Sequence, residues 1–192
     1  MWQYELNADG KRVREMANQI ENAQLSFGQK EAPVKVEVFL NLTCPYCATF
    51  FGIAEEVLKD YLDNGQVEFI VKHYDKPREM LLNGTLINLF LDYEKPSRVK
   101  EILKELFATQ GQWDQLNNQD IKNLLAEKYQ LKEEPQNTEI SLNVTAEAIR
   151  RNVKMVPTVF INDKEYQYPT ELSADELKST IEAELETSVF TS

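Results

Sequence analysis

The sequence predicts an α/β fold in which one sheet-bearing unit is split by an all-helical insertion. Three observations carry this reading. Residues up to about 76 read as strand, helix, strand; about 77 to 153 hold four helical patterns in succession without a convincing strand; strand signals then return near Thr158, followed by one well-marked helix. The boundaries this implies are 1–76 for the first part of the sheet-bearing domain, 77–155 for the insertion and 156–192 for the second part. With 192 residues, 42% hydrophobic and 28% charged, the chain is long enough to bury a core without extra staples.

Each element has its own local signal. Trp2 to Leu6 reads as a short edge strand, and Lys11 to Asn22 places Val13, Met16, Ala17 and Ile20 at helical spacing. Phe27-Gly28 and Ala32-Pro33 read as turns. Val34 to Asn41 is rich in β-branched and aromatic residues, alternating at first and then continuously apolar, as in a strand entering a core. From Cys44 to about Leu62 the residues Phe50, Ala54, Val57, Leu58 and Tyr61 share one helical face, and Asn64-Gly65 ends the helix. Gln66 to Tyr74 is a second buried strand.

Four helices are expected in the insertion: Pro77 to Tyr93, Pro96 to Gln110, Asn118 to Gln130 and about Asn137 to Asn152. The first two begin with proline, which is tolerated in a first turn because its missing amide hydrogen has no intrahelical partner there. Gly111-Gln112 and Lys132-Glu-Glu-Pro135 separate them, and their apolar stripes read as a small bundle. Thr158 to Ile161 and Lys164 to Tyr168 form a hairpin about an Asn162-Asp163 turn. Ser173 with Glu176 makes a capping box for a final helix carrying Leu177, Ile181 and Leu185.

Charge and composition narrow the function. Thirty-two acidic against 21 basic residues give a net charge of −11, which repels phosphate backbones and anionic lipid, so neither nucleic acid nor membrane is expected as a partner. No signal-peptide core and no long apolar run stand out, and a soluble, cytoplasmic protein is expected. Of three Asn-x-Ser/Thr sequons, at Asn41, Asn83 and Asn143, the first lies where a glycan would obstruct Cys44, which disfavours a eukaryotic secretory route.

The only two cysteines form Cys44-Pro45-Tyr46-Cys47, at the junction of a buried strand and an amphipathic helix. Unpaired amides and the positive end of the helix dipole favour a thiolate at Cys44, making it the attacking nucleophile. Cys47, one turn on, is within disulfide reach and more buried, as a resolving cysteine should be. Pro45 fits the first turn, and Tyr46 offers an aromatic surface beside the reactive sulfur. Zinc is poorly served, because a structural site needs four ligands and His73, the single histidine, lies on another strand. A purely structural bridge over so short a loop would stabilise little. No metal and no cofactor are therefore assigned, and His73 is read as a strand residue.

The segments Phe39-Leu-Asn-Leu-Thr-Cys-Pro-Tyr-Cys47 and Val156-Pro157-Thr158, in this order of elements, resemble the DsbA-like branch of the thioredoxin superfamily from about Phe27 to Glu186. The resemblance implies a thioredoxin-like fold with an inserted helical domain, a cis Val156-Pro157 bond, and Pro157 packed beside Cys44, so that Pro45, Tyr46, Val156 and Pro157 border the substrate. It implies reversible thiol-disulfide exchange with protein or small-thiol disulfides, recharged by a dithiol or glutathione. The alternative is a non-catalytic adaptor or redox sensor. Pro-Tyr is also the glutaredoxin dipeptide. Many relatives carry a buried acid six positions before the first cysteine; here that position is Val38, and the neighbouring Glu37 should point to the opposite face of its strand.

Overall fold

A computed structural model describes residues 24–190; the edge strand and helix expected before Asn22 lie outside this range. Five strands form one sheet in the order β1-β3-β2-β4-β5, where β1 is Leu25–Gly28, β2 Val34–Leu40, β3 Val67–His73, β4 Thr158–Ile161 and β5 Lys164–Gln167. The central pair β2 and β3 is parallel, with Val34 opposite Val67 and Leu40 opposite His73. Helices α1 (Pro45–Val57) and α2 (Lys59–Asp63) connect them, since parallel neighbours need a crossover. The other three pairings are antiparallel. The β4–β5 hairpin turns through Asn162 and Asp163, both at positive φ, as a two-residue turn of this kind requires.

The two-residue period of β2 separates the layers. Val34, Val36, Val38 and Leu40 pack under Cys47, Phe50 and Ala54 of α1 and under Leu177 and Ile181 of the last helix, α8 (Ala174–Phe190). On the other face Phe39, Tyr74 and Phe160 pack against Val144 and Ala148 of α7 (Asn137–Arg150). Between β3 and α7 come a 3₁₀ turn (Glu79–Leu81), α3 (Leu82–Asn88), α4 (Pro96–Ala108), α5 (Gln110–Trp113) and α6 (Asn118–Glu127). Their buried Val99, Leu106, Trp113 and Ile121 extend the α1 side of the core without interruption. The rings of Phe51 of α1 and Phe107 of α4 pack at a tilt with centroids 5.1 Å apart. This is a thioredoxin-like fold with an inserted helical domain, and no described helix is long and apolar enough to cross a membrane.

Five local expectations are corrected. Residues 25–28 form a strand ending at Gly28, not a turn alone: Leu25 and Phe27 point into the core, and Leu25 pairs with Val71. The helix expected from Cys44 to Leu62 is two, broken at the fully buried Leu58. Pro77 starts no helix, because Arg78 is extended; α3 begins at Leu82 and stops at Asn88, where Asn88 bonds Asp75 and Tyr93. Gly111-Gln112 belongs to α5, held by the buried Trp113, whose indole donates to the Leu106 carbonyl. The fourth insertion helix, α7, covers the second face of the sheet as well as joining the helical core through Ile140.

Candidate functional site

Cys44 is the N-cap of α1 with extended backbone, and Pro45 occupies the first turn, so the strand-to-helix change delivers the Cys44 sulfur to the helix N-terminus. The loop behind it is fixed from several sides. Asn41, fully buried, accepts from the Thr43 amide (3.0 Å) and hydroxyl (2.7 Å) through Oδ1, and donates through Nδ2 to the Tyr74 and Leu81 carbonyls. The Leu42 amide donates to His73 Nε2 (3.1 Å), and its carbonyl accepts from Gln110 of α5 (2.6 Å). With Nε2 accepting, His73 is the neutral tautomer that carries its proton on Nδ1, 2.8 Å from Asp75. At Gly84 of α3 a Cβ would lie 2.2 Å from Asn41 Oδ1, so only glycine lets that helix approach the loop.

The two thiols are free and in contact. A hydrogen bond from Cys47 lowers the Cys44 thiol from 9.0 to about 7; burial opposes this, and the amides of Cys47 and Tyr46 reinforce it. Cys47 is fully buried, and burial pushes its thiol well above the ordinary value, as does the interaction with Cys44; the Asn41 amide, 3.4 Å away, is a small opposing influence. The pair is thus an acidic thiol lining the groove, itself only 8% exposed, in contact with a reluctant one that is fully buried. The Cys44 thiol also donates to the Val156 carbonyl (3.3 Å), and Val156-Pro157 is cis, as is Tyr168-Pro169. The structure thereby brings Cys44, Pro45, Tyr46 and Val156 to one groove of about 460 Å³, walled also by Met80, Leu81 and Met155. Tyr46, Met80 and Met155 are more than half exposed. Pro157, expected from the resemblance to border the substrate, is buried and does not line the groove.

Val38 is fully buried between Val71 and Val159 on the α1 side of the sheet. Glu37 faces the other side, in a cluster with Lys72, Glu147 and Arg151 roofed by α7. His73 supports the loop and does not border the groove. Among the described residues no group of three or more His, Cys, Asp or Glu side chains is placed to hold a metal. Asn41 is too buried to bear a glycan and Asn83 bonds the Asp114 and Leu116 carbonyls, so the obstruction inferred from the first sequon does not apply. Sequence reading missed Asn41, Gly84, Gln110 and the supporting role of His73, along with the groove residues Met80 and Met155. Local signals point to none of these; only the Asn41-x-Thr43 spacing, a pattern of Asx turns, marked the loop.

Residues 21–183 match the family described as thioredoxin. A solved structure of a conserved protein of unknown function from Enterococcus faecalis V583 is 31% identical, with a TM-score of 0.78 over 86% of this chain and 94% of that one. Oxidised BdbD from Bacillus subtilis is 21% identical (TM-score 0.61; 85% and 94% covered), and alpha-DsbA1 from Wolbachia pipientis 18% identical (0.68; 88% and 94%). None of the curated proteins compared matches the chain.

Proposed function

We propose, from the premise that this chain belongs to the thioredoxin family, that it is a thiol-disulfide oxidoreductase in which Cys44 attacks and Cys47 resolves. The observation that carries this reading is the graded pair: a Cys44 thiol lowered to about 7 at the groove, in contact with a fully buried Cys47 held well above 9.0. The Cys44 thiolate attacks one sulfur of a substrate disulfide, that S–S bond breaks, and the first substrate thiolate leaves. Cys47 then loses its proton and attacks the Cys44 sulfur. The second substrate thiolate departs, leaving the substrate reduced and Cys44–Cys47 oxidised. Attack from the groove and resolution from below meet the same sulfur from different sides, which supports the division of roles.

The same reading takes protein or small-thiol disulfides as substrates and a dithiol or glutathione as the recharging partner. Direction and compartment follow from the reduction potential. A value near about −270 mV fits a cytoplasmic reductant and one near about −120 mV a disulfide donor. Insulin-disulfide reduction coupled to a thiol donor tests the activity. Cys44→Ala should abolish turnover, and Cys47→Ala should accumulate mixed disulfides; turnover by Cys44→Ala, or trapping through Cys47, overturns the assignment.

A further inference from the structure

We infer that the groove beside Cys44 selects peptide disulfides whose cysteines are flanked by both carboxylates and apolar side chains. This deepens the oxidoreductase reading and rests on it. The chain carries a net charge of −11, yet the groove is lined by Lys76, Arg78 and Lys154 and by no carboxylate. Glu79, next to Arg78 in sequence, does not line it, and Asp75, next to Lys76, is turned inward to His73 and Asn88. None of the three cations has an ion-pair partner among the described residues. Lys76 donates to the Lys154 carbonyl, which ties the segment after β3 to the loop before β4.

The cations are not what makes Cys44 acidic: Cys47 and the helix amides do that. Their charge is therefore available to a bound molecule. Burial and the nearby Arg78 charge both lower the Lys76 pKa, so an anion between the two would relieve a repulsion already in place. The same groove is lined by the exposed Tyr46, Met80 and Met155, apolar surface that a purely polar anion leaves wet. An acidic peptide segment with an apolar residue beside its cysteine satisfies both kinds of lining residue. Glutathione disulfide supplies carboxylates, with an ammonium group on each half, but no apolar side chain.

The test is the second-order rate of exchange between the reduced protein and two model peptide disulfides, identical except for Glu or Gln on either side of the cysteine and each carrying one Leu. The Glu peptide should react about tenfold faster at low salt, and within about twofold in about 0.5 M sodium chloride. The Glu/Gln rate ratio should fall towards one in R78Q/K154Q and stay as in the native protein in K132Q, which removes one charge from an exposed site outside the groove lining. Equal rates for the two peptides, or a ratio that survives R78Q/K154Q, overturn this inference alone. So does glutathione disulfide reacting faster than the Glu peptide. Exchange with neither peptide overturns the oxidoreductase reading and this inference with it.

Discussion

Cys47→Ala should make Cys44 a weaker acid, because the hydrogen bond from the buried thiol is the largest influence holding Cys44 at about 7. Without it, burial is opposed by the amides of Tyr46 and residue 47 alone. A hydrogen bond to a charged group contributes about 1.5–3 kcal/mol, and one pH unit corresponds to about 1.36 kcal/mol, so the Cys44 pKa should rise by about one to two units. At pH 7 the thiolate fraction then drops from about half to between about a tenth and a hundredth. A thiolate of higher pKa is intrinsically more nucleophilic, with a Brønsted slope of about 0.4–0.5, so attack should slow by only about threefold per unit. The assay is the rate of iodoacetamide alkylation, and the thiolate absorbance near 240 nm, against pH in native protein and variant. A midpoint that stays near 7 in Cys47→Ala would show that the helix terminus alone sets the acidity.

Three further outcomes are expected. Because Val38 places no carboxylate near Cys47, the single-turnover release of a mixed disulfide should accelerate about tenfold per pH unit through neutrality; Val38→Glu should flatten that slope at a cost on the order of a few kcal/mol, and a flat profile in the native protein would refute the reasoning. Gly84→Ala should cost about 1–3 kcal/mol in urea unfolding, since its Cβ falls 2.2 Å from Asn41 Oδ1; a loss within about 0.5 kcal/mol would mean the loop yields freely. Burial pushes the Asp75 pKa up, but the electrostatic interaction with His73 and hydrogen bonds from His73, Ser141 and Asn88 outweigh it and leave the pKa below 3.8. The stability Asp75 contributes is therefore complete above the ordinary value of 3.8 and lost as pH falls through the lower folded value. Asp75→Asn should remove that acid limb from the unfolding profile, and an unchanged limb would place it elsewhere.

What was legible in the sequence was what local chemistry decides. The β2 and β3 segments, the Asn162-Asp163 turn and the Ser173 capping box each carry their signal within a few residues, and Ser173 and Glu176 do bond reciprocally. Strand β1 was hidden because four residues closing on Gly28 look like a turn until β3 is there to pair with them. The α7 stripe announced an apolar face but not which face of which layer it would meet. The site divides the same way. The cysteine spacing exposed the thiols, whereas the loop supports, His73 and Gln110, and the groove cations on two separate loops, are assembled by tertiary contacts that no sequence window contains.

The same two-residue period that builds the sheet also limits the chemistry. Glu37 and Val38 are adjacent in sequence but on opposite faces, so the carboxylate goes to Lys72 and Arg151 while the position under α1 stays apolar. In the reduced protein Cys47 still has the Cys44 sulfur to accept its hydrogen bond. Once Cys44 is tied up in a mixed disulfide, that sulfur carries no charge, and the Asn41 amide, a donor, takes no proton either. The proton on Cys47 must then leave through the groove that the substrate itself occupies. On the proposed roles, the groove that speeds attack thus obstructs release, and the protein holds a captured substrate longer than a relative with an acid at this position. A long-lived mixed disulfide gives a misbridged protein time to present a second thiol of its own, which resolves the complex by rearrangement rather than by net reduction.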